Sequence, residues 1–191
     1  MPWDERTLVA LLKQGHEEAY EELIRRYQQK VYALAYGITL DAEESRDIVQ
    51  EVFLKTYQNI QTFEGRSRLA TWLHRITVNQ SLNWQRRWKR RLRWHHRPIE
   101  SAEDGESIQI GTDEYEAGVL HHRREIDRAY RKALNRLPDE ARAVYALKEI
   151  EGLSYEEIGR VLNIKKGTVS SRLYYARKHL QEALEEFRET L

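Results

Sequence analysis

The chain has 191 residues, of which 40% are hydrophobic and 33% charged, and its 32 Lys and Arg against 31 Asp and Glu leave a net charge of +1. That length holds one ordinary domain or two small ones and is too short for a large α/β enzyme. With no cysteine, three prolines and nine glycines, disulfides, thiol nucleophiles and cysteine-ligated zinc are excluded, and the composition reads as helix-rich. No apolar run approaches the roughly 18 residues needed to span a membrane. The start, MPWDERTLVALLKQG, carries acid early and lacks the basic opening of a signal peptide. The expectation is a soluble, intracellular, all-α protein.

Leu8, Leu11 and Leu12 mark a short first helix, stopped at Gly15. Ala19, Leu23, Ile24, Tyr27, Val31 and Leu34 recur at helical spacing and predict a second helix ending near Gly37. Asp41, followed three residues on by Glu44, is a candidate capping box for a third, which carries Ile48, Val49, Val52, Phe53, Tyr57 and Ile60. After Phe63-Glu64-Gly65 a long fourth helix runs from about Leu69 to Arg91. Its core face is Leu69, Trp72, Leu73, Ile76 and Gln80. About 100° away, Arg75, Asn79, Leu82, Arg86, Arg90 and Arg93 form a second stripe.

Charge is distributed unevenly. Ten basic residues and no acid lie between Arg66 and Arg97, and seven acids with no Lys or Arg follow from Glu100 to Glu116. A local basic block attracts phosphates whatever the total charge. The interleaved Trp84, Trp88 and Trp94 suit unstacked bases; a solvated helix face is the alternative. The loop from Phe63 to Ser67 is suited to holding a base taken out of the stack, and Asn79 to reading a base edge; for Phe63 a place in the core is the equal alternative. Residues 98–116 break the helical pattern and read as an acidic linker. In the free chain such a tether would compete with DNA for the arginine stripe, or serve only as a soluble connection.

Beyond it, Leu120, Ile126, Tyr130, Leu134 and Leu137 predict a fifth helix. Pro138 is tolerable in the first turn of the sixth, which carries Val144 and Leu147 and ends at Gly152. Ser154-Tyr155-Glu156-Glu157 is a capping box for a short seventh helix with Ile158, Val161 and Leu162. The last helix runs from Thr168 to about Arg188. This final pair has the dimensions of a helix-turn-helix. Val169, Leu173, Ala176, Leu180, Leu184 and Phe187 form its core stripe. Ser171, Tyr174 and Lys178 lie opposite, with Ser170 and Tyr175 beside them, and Arg172 and Arg177 flank the stripe to grip phosphates. A purely structural helical hairpin is the alternative.

The runs Asp47-Ile48-Val49-Gln50-Glu51-Val52-Phe53-Leu54, Thr62-Phe63-Glu64-Gly65, Thr71-Trp72-Leu73-His74-Arg75-Ile76 and Asn79 closely resemble region 2 of bacterial sigma-70-type factors. Leu137-Pro138, Leu153-Ser154-Tyr155-Glu156-Glu157-Ile158, Gly167-Thr168-Val169-Ser170-Ser171-Arg172-Leu173 and Ala176-Arg177 resemble region 4. Order and spacing are similar to the smallest branch, the extracytoplasmic-function (ECF) sigma factors. The resemblance divides the chain into region 2 over 1–97, the linker over 98–116 and region 4 over 117–191. It implies a cytoplasmic, non-enzymatic protein, without cofactor or metal, that binds core RNA polymerase and promoter DNA under the control of an anti-sigma factor.

Residue by residue, the resemblance places Asp47, Gln50, Glu51, Phe53 and Leu54 on the β′ coiled coil of the polymerase. Phe63, Ser67, Arg75, Asn79, Asn83, Arg86 and Arg90 fall on the −10 element. Tyr155, Glu156, Lys166, Thr168, Ser170, Ser171, Arg172, Tyr174, Tyr175, Arg177 and Lys178 fall on the −35 element, and region 4 also leans on the β flap. Asn163 stands where the family more usually has Gly, and Asn tolerates the left-handed conformation of that turn. The three tryptophans make the −10 helix unusually aromatic. Two rivals are weighed. An autonomous helix-turn-helix regulator would dimerise on a palindrome and leave Asp47 to Leu54 unexplained. A metalloenzyme would draw on His95-His96 and His121-His122, but adjacent histidines face different sides of a helix and no H-E-x-x-H motif is present.

Overall fold

The computed structural model describes residues 3–95 and 114–187. Among them are eight α-helices: α1 (Glu5–Gln14), α2 (Glu17–Thr39), α3 (Ala42–Asn59), α4 (Leu69–His95), α5 (Glu114–Arg136), α6 (Asp139–Glu149), α7 (Tyr155–Leu162) and α8 (Lys166–Ala183), with short 3-10 turns at Ile60–Thr62 and Glu185–Phe187. The all-α expectation holds over these residues. Most of the expected linker lies outside them, as does the proposed competition of its acids for DNA. Its last three residues are helical, because α5 begins at Glu114.

Local chemistry sets most helix ends. Asp4 caps α1 by accepting the Thr7 N–H at 2.7 Å, and Gly15 closes it in the left-handed conformation, φ 81°. The carboxylate of Asp41 accepts the Glu44 N–H at 3.0 Å and starts α3. α2 does not stop near Gly37. It continues to Thr39 and closes on Leu40 at φ 59°, so Gly37 lies inside the helix. α8 starts before Thr168 and ends before Arg188, with Lys165 at its N-cap.

The N-terminal core joins Leu8, Leu12, Leu23, Val52, Leu69 and Leu73 from α1 to α4. Two residues assigned there by periodicity stand exposed instead, Ile24 and Tyr57. α4 is buried on more than its apolar stripe: His74, Thr77, Ser81 and Gln85 are buried too. The Thr77 hydroxyl donates to the Leu73 carbonyl and that of Ser81 to the Thr77 carbonyl, each at 2.9 Å, so these two hydroxyls are satisfied within the helix. The Gln85 amide donates to the Ile38 carbonyl at 2.5 Å, tying α4 to the end of α2.

In the C-terminal half, α6, α7 and α8 close around Val144, Leu147, Ile158, Val161, Val169 and Leu173. α5 packs on α8 through Leu134, Leu137, Ala176 and Leu180. Arg142 is buried in this half, and its guanidinium donates to the Leu134 carbonyl at 2.9 Å.

Candidate nucleic-acid and polymerase interfaces

The α7–α8 pair is a helix-turn-helix built by short-range hydrogen bonds. Ser154 Oγ accepts the Glu157 N–H at 3.2 Å, and the Glu157 carboxylate accepts the Ser154 N–H at 2.9 Å. The Ser154 N–H and, at 2.8 Å, the Ser154 hydroxyl both donate to the Glu157 carboxylate and hold it below the usual carboxylate range. Asn163 makes the turn at φ 53°. Gly159 is a residue that sequence reasoning passed over. A Cβ there would stand 2.8 Å from the Ile164 carbonyl oxygen, so the turn closes on backbone that only glycine leaves open. An isolated glycine between Ile158 and Arg160 was the available signal.

On α8, Val169, Leu173, Ala176 and Leu180 are buried. Ser170, Ser171, Tyr174, Tyr175 and Lys178 are exposed on other faces, with Tyr174 at 71%. Arg172 is half-buried. The Ser171 hydroxyl donates to the Thr168 carbonyl at 3.1 Å, which leaves its lone pairs outward. Tyr175 stacks on His179 with ring centroids 6.3 Å apart.

Several of the predicted DNA contacts are engaged within the protein. Arg177 forks onto Glu149 at 2.8 and 3.2 Å, and this bond pushes the guanidinium up from its usual value. It braces α8 on α6 in place of the free phosphate grip predicted for it. Lys166 Nζ meets Glu156 at 2.5 Å, which lowers the Glu156 carboxyl and raises the lysine. Tyr155 is half-buried against the C-terminal core. Thr168 lies in the first turn of α8 and is half-buried.

On α4, Arg75, Asn79, Asn83, Arg86 and Arg90 are all exposed along one side. Arg86 donates to the Asn83 side-chain oxygen at 2.9 Å, and Arg90 Nε donates to the Arg86 carbonyl at 3.3 Å. The stripe is a connected basic surface in front of a buried face. Trp84 is a core residue rather than a platform for bases. Trp88 stacks on it with centroids 5.7 Å apart and stays partly exposed. The side chains of Arg93 and Trp94 lie outside the described residues.

Phe63 takes the core place that the sequence also allows it: it is 6% exposed and packs on Trp72 at 5.4 Å between centroids. The exposed part of the loop is Glu64, Gly65 and Arg66, turned by Gly65 at φ 73°, with Ser67 half-buried beside them. Arg66 pairs with Glu64 at 2.6 Å.

On α3, Asp47, Gln50 and Leu54 are exposed together, and Glu51 is half-buried and paired with Lys55 at 3.1 Å. Phe53 turns instead toward the N-terminal core. Tyr57, one turn beyond Leu54, is 60% exposed and extends the patch, its ring 4.9 Å from that of Tyr20. The surface is mixed acidic and apolar. Among the described residues no group of three His, Asp or Glu side chains is placed to hold a metal, and no helix is long and apolar enough to cross a membrane.

Residues 23–91 match the family Sigma-70 region 2, and residues 127–180 match Sigma-70, region 4. The chain is 33% identical over 183 residues to the RNA polymerase sigma-H factor of Pseudomonas aeruginosa, covering 95% of this chain and 94% of that one. It is 34% identical over 188 residues to the ECF RNA polymerase sigma-E factor of Haemophilus influenzae, covering 95% of each. The fold is similar to that of the sigma factor RpoE in complex with the anti-sigma factor NepR from Bartonella quintana, with TM-score 0.67, 23% identity and coverage of 87% and 96%. It is also similar to CnrH in complex with the cytosolic domain of CnrY, with TM-score 0.65, 22% identity and coverage of 95% and 97%.

Proposed function

The chain belongs to the extracytoplasmic-function branch of the sigma-70 family, and we propose that it binds core RNA polymerase and directs transcription from promoters whose −35 and −10 elements it reads with separate helices. One observation carries the residue assignment. In both matched segments the predicted DNA-reading side chains lie exposed on helices whose other faces are buried: Arg75, Asn79 and Arg90 on α4, and Ser170, Ser171 and Tyr174 on α8.

In this reading α8 enters the major groove of the −35 element. Hydroxyls of Ser170, Ser171, Tyr174 and Tyr175 face base edges, while Arg172 and Lys178 bind phosphates. Arg75, Arg86 and Arg90 hold the −10 backbone, Asn79 and Asn83 read bases, and the Glu64–Ser67 loop guides an extruded base, with Phe63 anchoring that loop from below. Asp47, Gln50 and Leu54, extended by Tyr57, dock on the β′ coiled coil, and the C-terminal half leans on the β flap. Residues 1–97 and 117–191 serve as the two recognition units. The protein acts in the cytoplasm with no catalytic site of its own. A sigma factor of similar fold is solved in complex with an anti-sigma factor, and an anti-sigma factor holds this chain inactive.

The test is transcription by core polymerase with and without this chain on a genomic fragment library. Defined start sites that appear only with the chain are expected. Binding of the purified chain to a palindromic operator without polymerase, and no new start sites with it, would refute the proposal.

A further inference from the structure

α4 begins without a cap of its own. Its first residue, Leu69, is fully buried, and the N–H of a first helical residue has no partner inside its helix. Arg68, which precedes it, has no side-chain acceptor, so the local chemistry that starts α1, α3 and α7 is missing here. The partner comes from the other end of the N-terminal half: the Leu69 N–H donates to Glu5 Oε1 at 3.0 Å. A carboxylate at this place also meets the positive end of a helix 27 residues long.

Glu5 belongs to α1, and α1 also holds the other foot of the loop that leads into α4. Gln61 Nε2, in the 3-10 turn before Phe63, donates to the Lys13 carbonyl at 2.6 Å. Glu5 and Lys13 are roughly 12 Å apart along α1, whereas the chain from Gln61 to Leu69 reaches ~26 Å when extended. The loop between the two feet therefore has slack and must bow, and Glu64, Gly65 and Arg66 form its exposed part. α1 is itself fixed. Leu8 and Leu12 are buried in the N-terminal core, and Arg26 of α2 donates to the Trp3 carbonyl at 2.5 Å. Bonded contacts thus run from α2 through α1 to both ends of the loop.

A slack loop binds a base only in the fraction of its conformations that present the right geometry, and apparent affinity falls with that fraction. Holding both feet raises it. We propose that Glu5 is a positioning residue for the −10 element: by capping α4 from a distant helix, with Gln61 at the other foot, it sets the Glu64–Ser67 loop and the start of the Arg75–Asn79 stripe for an extruded base. Glu5 acts through Leu69 and touches no DNA itself. The inference rests on the sigma-factor reading above.

Core polymerase is loaded with the wild-type chain, Glu5→Ala, Glu5→Gln or Asp4→Ala. The probe is the −10 segment, each single strand in turn, of a promoter found in the transcription test above. Glu5→Ala is expected to bind the preferred strand about 2- to 30-fold more weakly, the range set by losing one helix cap, and to open the duplex promoter more slowly. Its capture by core polymerase stays at the wild-type level. Glu5→Gln is expected to restore binding to within about twofold, because the amide oxygen accepts the same N–H. Both variants remove one negative charge, which by itself favours DNA, so weakening by Glu5→Ala alone is not an effect of charge. Asp4→Ala removes the cap of α1 itself, the Thr7 bond at 2.7 Å, and is expected to lower the melting temperature without weakening the probe. Wild-type binding by Glu5→Ala, no rescue by Glu5→Gln, or equal weakening by Asp4→Ala overturns the assignment. If the wild-type holoenzyme binds neither strand, the −10 reading of this half fails, and amide hydrogen exchange of the free full-length chain judges the clamp. Glu5→Ala is then expected to speed exchange over residues 64–70, and unchanged exchange overturns it. Should Glu5→Ala not fold, Gln61→Ala, which cuts the other foot, takes its place in both measurements.

Discussion

Tyr174 and Leu173 are neighbours in α8 with opposite fates, and this contrast tests the reading face of the C-terminal half. Tyr174 is 71% exposed while Leu173 is buried in the C-terminal core. Tyr174→Ala truncates a largely exposed side chain, so its cost to folding should stay within about 0.5 kcal/mol, whereas Leu173→Ala should cost about 2–5 kcal/mol. On DNA the order reverses. If the Tyr174 hydroxyl meets a base edge, its loss should lower affinity for the preferred −35 sequence by about 1–3 kcal/mol, with little effect on scrambled sequences. Arg172→Ala is the companion. Losing one phosphate contact reduces the salt slope by about 0.9, so the variant's deficit should shrink by about 3.5-fold between 50 and 200 mM salt, equally for all sequences. The assay is competition binding by holoenzyme on promoters with single −35 substitutions, beside thermal melting of the free factor. Equal weakening of preferred and scrambled sites by Tyr174→Ala, or a melting loss as large as that of Leu173→Ala, would refute the assignment.

Phe63→Ala should destabilise the N-terminal half by about 3–5 kcal/mol in thermal melting, because the ring is packed on Trp72; unchanged melting with slowed strand opening in permanganate footprinting would return the ring to the DNA. Ser154→Ala should cost about 1 kcal/mol through loss of the α7 cap. The folded-state pKa of Glu157 is depressed, so its share of that stability is present above the ordinary glutamate value and lost as pH falls through the lowered one, which melting of both proteins across acid pH checks. Asp47→Lys combined with Leu54→Ala should weaken capture by core polymerase and leave melting unchanged, since both side chains are exposed; undiminished pull-down would move the polymerase contact off α3.

Much of this protein is written in short stretches of sequence. Gly15, Asp41, Ser154 and Asn163 each act where the sequence placed them, because caps and left-handed turns depend on hydrogen bonds spanning three or four residues. The α8 stripe of Val169, Leu173, Ala176 and Leu180 was legible for a similar reason: helical periodicity determines which side chains share a face. Periodicity does not say how many neighbours a helix has. α4 is covered by both α2 and α7, so His74, Thr77, Ser81 and Gln85 are buried although none is apolar. Phe63, which the sequence left between core and DNA, entered the core and Tyr57 left it, because an aromatic ring is buried only where another element supplies a surface. Gly37 was taken as a helix end on the local rule for glycine, but its missing side chain makes room for Ile150, which lies far along the chain. Arg177 was read as a phosphate grip and is held by Glu149 on another helix. The sequence by itself determined the helices, most of their ends and the buried stripe of α8. The closure of one half on the other, and the residues that hold it, were decided only by tertiary packing, because those contacts join positions that no local pattern connects.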